Sequence, residues 1–360
     1  MKKTGKRIIA IVMALIFMLS TGVISAFAAD DDNGTSDMKN LPYPAAVATK
    51  KAMDVVFEAV NQMAGATEDW STSDGDVYNN VRYGYRGCQK FDMYVPKGLD
   101  KSKPVGVILF VHGGTWYAGS KDNFTWGCRR YAKLGYITAT MDYDLADQGG
   151  EGYAKATGSK PGSTVFDMVE DIGLCVKALD MNIRALGYNP YGLALCGESA
   201  GSHLTMMFGY GHDKESAIPV KMIMNVTSPV SWTYGTFNNY TAAEQAKYIN
   251  MIAGYNLTAE DIEHPSPEVQ KQINAISPIT FIHEGSCPTL MGFAGKDTTI
   301  GTNQYNTIKP VLDKYNVPND VVWWPNSDHT LIADREVLGG EWLQKSSQWL
   351  ARYLTPVNVK

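Results

Sequence analysis

Short apolar runs dominate the chain beyond Pro104, and within each run apolar residues follow one another without polar alternation. The runs cover residues 105–111, 136–141, 192–196, 222–226, 289–294 and 321–324. Longer amphipathic stretches fall between them, and helices are predicted over residues 165–186 and 303–315. Strands that are buried on both faces have this pattern. The sequence therefore predicts an α/β fold with a mostly parallel, doubly wound sheet and helices on both faces.

Three other segments are predicted around this framework. Residues 77–85 alternate and residues 91–96 form a second short run, which indicates an antiparallel hairpin at a sheet edge. Apolar residues recur at helical spacing over 46–64, which predicts a helix that packs on the main domain. About fifty residues, 228–279, interrupt the strand rhythm and are rich in Tyr and Asn. This interval is predicted to be a cap inserted between two strands.

The first 28 residues are typical of a secretory signal peptide. A basic segment precedes the apolar run 8–19, and Ala26-Phe27-Ala28 has the small-x-small pattern of a cleavage site. A membrane anchor would need about 20 apolar residues, which this run does not reach. We expect a secreted protein, with a bacterial style of signal and no stable membrane anchor after cleavage. The expected organisation is a leader and helix over 29–75, followed by one domain over 76–360.

Charge and cysteine spacing exclude several classes of partner. Cleavage after residue 28 removes four basic residues and no acidic residue, so the formal net charge moves from −5 to −9. An acidic chain disfavours nucleic acid as a partner. The five cysteines form no CxxC pair and no zinc-finger spacing, so we expect no structural metal site and interpret the cysteines as small buried residues.

The segment Gly197-Glu198-Ser199-Ala200-Gly201 matches the nucleophile elbow G-x-S-x-G. An apolar run precedes it, and a plausible helix follows it. That strand, turn and helix context is the one in which the motif projects a nucleophilic serine from the top of a sheet. Ser199 is therefore the predicted nucleophile.

A second glycine-containing loop, His112-Gly113-Gly114-Thr115-Trp116, follows directly on the predicted strand 105–111. Glycines let a backbone approach the substrate closely, so the N–H groups of Gly113 and Gly114 are predicted oxyanion donors, with Ala200 as a third. An ordinary glycine turn with a core histidine is the alternative for this segment. His112 is assigned to shaping the loop.

A serine nucleophile needs a base, and the base needs an orienting carboxylate. His329 lies just past the last predicted strand, and Asp297 follows the strand 289–294. The order Ser199, Asp297, His329 is the one expected of α/β-hydrolases. Asp328 and Asp320 are the alternatives for the acid.

These motifs together resemble the α/β-hydrolases of the esterase/lipase group, which includes hormone-sensitive-lipase-like and carboxylesterase-type enzymes. The similarity spans residues 77–354 and includes the run 91–96, Ser277-Pro278 and the three segments described above. It implies hydrolysis of carboxylic esters without a cofactor, with Ser199 acylated and then deacylated by water. Two departures are present: Thr115 replaces a third glycine of the loop, and residues 141–144 (Met-Asp-Tyr-Asp) replace a frequent Asn-Tyr-Arg sequence.

The substrate is expected to be a small or polysaccharide-linked ester, with acetyl and feruloyl esters among the extracellular possibilities. Trp116 and Tyr117 flank the oxyanion loop and are the predicted substrate-binding residues. Trp126 and the aromatic residues that begin the cap are further candidates. A peptidase or amidase with the same triad, and a non-catalytic binding member of the fold, are the competing functions.

Overall fold

The computed structural model describes residues 43–146 and 150–354, and the predicted signal peptide lies outside them. The strands are β1 (Gly75–Arg82), β2 (Lys90–Pro96), β3 (Pro104–Val111), β4 (Ile137–Met141), β5 (Asn189–Glu198), β6 (Val220–Val226), β7 (Thr289–Ala294) and β8 (Asn319–Trp324). They form one sheet in the order β1-β2-β4-β3-β5-β6-β7-β8. From β4 to β8 every neighbouring pair is parallel. The α/β fold with a mostly parallel sheet is confirmed, and each predicted apolar run lies on a strand.

The edge of the sheet is antiparallel, as the alternating segments predicted. β1 pairs with β2, and β2 pairs with β4. The β1–β2 register shifts between Tyr78 and Val81, and Asn80 there has a φ of 54°. An extra residue in one strand of a pair produces such a bulge.

Two hydrophobic layers explain why the runs do not alternate between apolar and polar residues. In β3, Val107 and Leu109 belong to one buried cluster, whereas Ile108 and Phe110 belong to the other. Successive side chains of a strand point to opposite faces of the sheet, so both faces of β3 are buried under other elements.

Helices precede β1, lie in connections between strands and follow β8. They are α1 (Tyr43–Met63), α2 (Thr125–Ala132), α3 (Gly150–Thr157), α4 (Val165–Ala185), α5 (Ala200–Gly211), α6 (Ala242–Ala253), α7 (Ala259–Glu263), α8 (Pro267–Ala275), α9 (Asn303–Lys314) and α10 (Leu343–Tyr353). The sequence indicates the start of α4 by a capping box, in which the Asp167 carboxylate accepts the backbone N–H of Thr164 at 2.9 Å. None of the described helices has the length and apolarity that crossing a membrane requires.

The interval between β6 and β7 contains α6, α7 and α8 and corresponds to the predicted cap over 228–279. α1 lies where the sequence predicted a helix, and the Asn61 amide in it donates to the Asn123 carbonyl at 2.9 Å. The five cysteines are buried and unpaired.

Strand order decides which loops meet. β3 and β5 are neighbours although β4 lies between them in sequence, and Val111 is paired with Gly197. β5, β6, β7 and β8 then follow side by side. Because parallel strands end at the same edge, the loops that carry Gly113, Ser199, Asp297 and His329 all lie at the carboxyl edge of the sheet, where ligands bind in open α/β folds.

Candidate active site

Ser199 lies at the turn between β5 and α5 in a strained backbone conformation. Its φ is 52° and its ψ is −119°, and its N–H donates to the Val226 carbonyl at 3.0 Å. A non-glycine residue in this region costs free energy and persists only where its surroundings hold it. The turn ends the strand and starts the helix at once, so the hydroxyl projects from the edge of the sheet.

The second glycine of the elbow is explained by close packing. A Cβ atom at Gly201 would lie 2.0 Å from the carbonyl oxygen of Val111, at the end of β3. Any larger residue would therefore push the elbow away from the loop that follows β3. The motif fixes the distance between the nucleophile and the predicted oxyanion loop.

The structure brings the three predicted triad residues into hydrogen-bond contact. His329 Nε2 lies 3.0 Å from Ser199 Oγ, and His329 Nδ1 lies 2.8 Å from Asp297 Oδ2. The other Asp297 oxygen accepts the N–H groups of Thr299 and Ile300 at 2.8 and 3.0 Å. With Nδ1 protonated, the imidazole donates to Asp297 and accepts the Ser199 hydroxyl proton at Nε2.

The alternative acids have other partners. Asp328 Oδ1 accepts the N–H and the hydroxyl of Thr330, and Asp320 forms an ion pair with Lys345 at 3.1 Å. The contact to the histidine therefore belongs to Asp297.

Charge and burial set the protonation of the pair. Burial alone would lower the pKa of His329, but the carboxylate and hydrogen bond of Asp297 outweigh it and raise that pKa above its usual value. Burial would raise the pKa of Asp297, but His329 and the two backbone donors hold it below its usual range. The Asp297 side chain is only 2% exposed, whereas that of His329 is 24% exposed. The Asp297 carboxylate is thus buried, whereas His329, whose Nε2 is the proton-accepting nitrogen, is partly exposed.

The predicted oxyanion loop follows β3 in a run of left-handed residues. Gly114 has a φ of 116°, and a Cβ there would lie 2.4 Å from the Ala118 carbonyl oxygen, so only glycine fits. Thr115 and Trp116 also have positive φ values, 54° and 63°. The loop therefore keeps its left-handed course at Thr115 without the third glycine of similar enzymes. Within the described chain, the N–H groups of Gly113 and Gly114 donate to no backbone carbonyl, and Ala200 opens α5, where a helix has unpaired N–H groups.

His112 supports this loop and does not contact Ser199. Its buried ring stacks on Tyr143 with centroids 4.3 Å apart, and its Nδ1 is 2.8 Å from the Gly113 carbonyl oxygen. The Tyr143 hydroxyl donates to the His112 carbonyl at 2.9 Å. Burial lowers the pKa of His112 to about 4. A neutral imidazole and a tyrosine thus hold the loop from behind.

The second sequence departure also has a structural explanation. Asp144 is the last residue of the segment that departs from the frequent Asn-Tyr-Arg sequence, and its carboxylate pairs with Arg86 Nε at 2.7 Å. Arg86 comes from the β1–β2 connection and also contacts Asp171 of α4 at 3.0 Å. Arg86 therefore joins the segment after β4 to α4 through two carboxylates.

A cavity of about 200 Å³ opens beside Ser199 and His329. Seven of its lining side chains are aromatic: Trp116, Tyr117, Trp232, Phe237, Tyr240 and Tyr248, with Phe57 from α1. Phe237, Tyr240 and Tyr248 form a continuous stack, with centroids 5.1 and 5.2 Å apart and planes within 8° and 7°. The two predicted substrate-binding residues line this aromatic pocket.

Comparison with known proteins places the chain in a family. The BD-FAE family model matches residues 91–312, which is more than half of the chain. The chain belongs to the BD-FAE family. The resemblance to α/β-hydrolases of the esterase/lipase group is confirmed.

Individual relatives of this BD-FAE member have low sequence identity or match only part of the chain. A probable isoprenylcysteine alpha-carbonyl methylesterase ICME of Oryza sativa subsp. japonica is 34% identical over 36% of this chain and 27% of its own length. The isoprenylcysteine alpha-carbonyl methylesterase ICME of Arabidopsis thaliana is 24% identical over 73% of this chain and 59% of its own length. The chain thus spans less than two thirds of either relative. The solved structure titled bacterial heroin esterase has a TM-score of 0.63 at 18% identity and covers 88% of this chain and 94% of its own, which shows the shared fold.

His203 of this BD-FAE member has a structural role that the sequence did not predict. His203, one turn into α5, is fully buried, and Trp116 donates its indole N–H to His203 Nδ1 at 3.2 Å. The Trp232 indole nitrogen lies 3.3 Å from His203 Nε2, which is also 2.8 Å from the Ile276 carbonyl oxygen. Burial lowers the pKa of His203 to about 4, so the ring is neutral. His203 therefore connects the oxyanion loop to the segment between β6 and β7.

Other expected candidates lie away from the site. Trp126 packs against Phe124 and Arg130, and Tyr234 is 43% exposed and does not line the aromatic pocket. Tyr248 and Phe57, which do line it, sit on α6 and α1, and the sequence placed them only in the predicted cap and in the predicted helix over 46–64.

In the described parts of the chain, Glu260, Glu263 and His264 are close enough to share a cation. They are exposed on and beside α7, and such clusters are common without a metal. Nothing connects them with Ser199.

Proposed function

We propose that this protein is a secreted serine hydrolase of carboxylic esters. The observation that carries the proposal is the hydrogen-bonded line from Ser199 through His329 to Asp297, with the loop of Gly113 and Gly114 beside the nucleophile. Hydrolysis of an ester needs a nucleophile, a base that returns its proton and donors for the oxyanion. These groups are all at one edge of the sheet.

The residues assign each step of the reaction. Ser199 Oγ attacks the ester carbonyl carbon while His329 Nε2 takes the hydroxyl proton, and the N–H groups of Gly113, Gly114 and Ala200 stabilise the oxyanion. The tetrahedral intermediate collapses as His329 gives the proton to the leaving alcohol, which leaves Ser199 acylated. A water molecule then attacks the acyl carbon with His329 as base, and release of the acid restores the hydroxyl.

The aromatic pocket favours a planar acyl group among the esters considered. Aromatic pairs prefer offset or edge-on packing at centroid distances of about 4.5 to 7 Å, a geometry that a phenolic acyl group satisfies against these side chains. Feruloyl esters of polysaccharides are therefore the proposed substrates, ahead of acetyl esters. Export through the predicted signal peptide would place the enzyme among such polymers.

The test compares the mature protein with its Ser199→Ala variant on p-nitrophenyl acetate, p-nitrophenyl octanoate and methyl ferulate. Wild-type activity should exceed that of the variant by at least about 10⁴-fold, because a triad serine acts as a unit with its base. Equal rates for both proteins would refute the serine mechanism. A matched anilide, cleaved faster than methyl ferulate, would assign the triad to amide hydrolysis instead.

A further inference from the structure

A second and larger cavity, of about 700 Å³, lies behind the oxyanion loop. His112 and Gly119 of that loop, together with Asp142 after β4, form part of its wall. None of its lining residues lines the aromatic pocket, although α1 contributes to both. The cavity is at the carboxyl edge of the sheet, since His112 follows β3 and Asp142 follows β4. We call it the polar cavity.

Basic side chains in the polar cavity come from one helix, one strand and one turn. They are Lys50 and Lys51 of α1, Lys90 of β2, and Lys121 in the turn before α2. Lys121 is nearly buried and sits 2.7 Å from a carboxylate oxygen of Asp92. The charge of a lysine in such a place is stabilised by its ion pair and not by solvent.

Acidic side chains balance these charges one for one. Asp54, Asp92, Asp122 and Asp142 line the same space, and Lys50 lies 2.8 Å from Asp54. His112, the one histidine among the lining residues, is the neutral ring described above. The lining therefore has many donors and acceptors but no excess of either sign, which disfavours a phosphate, a polyanion or a cationic ligand.

Several of these polar groups have no partner within the described chain. The side chains of Lys51, Lys90 and Asn79 form no hydrogen bond or ion pair with any described residue, and Asp54 Oδ1 is buried without a hydrogen bond. Polar groups that line a cavity and have donors or acceptors not used within the protein favour a ligand that supplies both donors and acceptors. A typical ligand pocket has about 300 to 1,000 Å³, and this cavity is within that range.

We propose that the polar cavity binds a neutral oligosaccharide. Each hydroxyl of a sugar both donates and accepts, so a sugar satisfies lysine and amide donors and carboxylate acceptors at once without bringing a net charge. An apolar ligand would displace water from these groups without replacing its hydrogen bonds, which is costly. Binding here requires no ester bond, so the proposal stands or falls separately from the proposed esterase activity.

The experiment is calorimetric titration of the Ser199→Ala protein with unesterified xylotriose, cellotriose and mannotriose. We expect saturable binding of at least one trisaccharide. Lys51→Ala and Asn79→Ala, separately and together, should weaken that binding by about tenfold or more, because each removes donors from the cavity. Both side chains are exposed and unpaired, so the variants should keep the wild-type melting temperature.

Tyr240→Ala is the matched control, because Tyr240 lines only the aromatic pocket. It should leave trisaccharide affinity unchanged. Absence of saturable binding to all three sugars would overturn the proposal, and so would binding that Tyr240→Ala abolishes while the polar-cavity variants retain it. Tighter binding of trigalacturonate or inorganic phosphate than of any neutral sugar would also overturn it, since the site would then select charge.

Discussion

His329 and His203 are both close to Ser199, but their ring nitrogens face different partners. His329 lies between a hydroxyl and a buried carboxylate, and its side chain is partly exposed. His203 is fully buried, its backbone N–H donates to the Ser199 carbonyl at 3.1 Å, and its ring meets two indole N–H groups and one carbonyl. A carboxylate raises the pKa of the first histidine, and burial among neutral groups lowers that of the second.

The difference shows what makes a histidine a proton carrier. An imidazole that must become charged during turnover needs a counter-charge in place beforehand, which Asp297 supplies. An imidazole without one stays neutral and serves as a rigid hydrogen-bonding group between the Trp116 indole N–H and the Ile276 carbonyl. The roles follow from the partners, although both residues are histidines near one serine.

Replacing the counter-charge should have the largest effect. Asp297→Asn should lower kcat by about 10³- to 10⁴-fold on methyl ferulate, because the amide favours the wrong tautomer and no longer stabilises the imidazolium. Asp328→Asn is the matched control, since Asp328 bonds to Thr330, and it should stay near the wild-type rate. Steady-state kinetics of the two variants checks this, and the reverse ranking would move the acid to Asp328.

The pH dependence sharpens the same point. Catalysis needs neutral His329, so kcat/KM should rise with pH through a histidine pKa that the carboxylate has raised above its usual value. In Asp297→Asn the rise should occur at lower pH. A rise at the same pH in both proteins would show that Asp297 does not set the protonation of the base.

The sequence predicted the triad that contains His329, but it did not predict the contacts of His203. Ser199, Asp297 and His329 each follow a strand that the apolar runs marked, and strand order alone brings them to one edge. No motif marks His203, because its ring neighbours Trp116 and Trp232 come from segments far away in sequence. No local pattern encodes such a meeting.

The pocket shows the same limit. Trp116 and Tyr117 adjoin a motif and were found, whereas Tyr248 and Phe57 reach the pocket through the packing of whole helices. Helical spacing tells which side of a helix is apolar, but not which part of it covers a cavity and which part covers the core. The polar cavity has no sequence signature for the same reason.

Stability should respond to pH in opposite ways at the two histidines. The folded pKa of His203 is lowered to about 4, so its contribution is present above the unfolded value and is lost as pH falls toward 4. The raised pKa of His329 contributes stability that is present below its unfolded pKa and lost as pH rises through the folded pKa.

The free energy of unfolding, measured by chemical unfolding at several pH values, separates these contributions when each variant is compared with the wild type. As pH falls from 6.5 to 4, the free energy of unfolding should fall by about 3 kcal/mol less in His203→Phe than in the wild type. His329→Gln should instead remove part of the loss above pH 6.5. Asp142 and Asp171, with pKa values raised by burial to about 6, are not shifted by either histidine, so their contributions cancel in both comparisons. Parallel curves for wild type and His203→Phe would mean that this ring is charged in the fold.

Substrate preference is expected to change least, and it tests the hydrogen bonds of His203 most directly. His203→Phe keeps a ring of similar size but leaves the indole N–H of Trp116 without its acceptor and the Ile276 carbonyl without its donor, at a cost of roughly 1 to 3 kcal/mol each. Trp116 lines the aromatic pocket, so kcat/KM for methyl ferulate should fall about tenfold relative to kcat/KM for p-nitrophenyl acetate, whose acyl group is too small to need that wall. Partial recovery of the ratio in His203→Gln, which restores an acceptor, would assign the effect to the hydrogen bonds. An equal loss on both esters would instead show that His203 supports the oxyanion loop as a whole, because Trp116 belongs to that loop and every ester uses its donors.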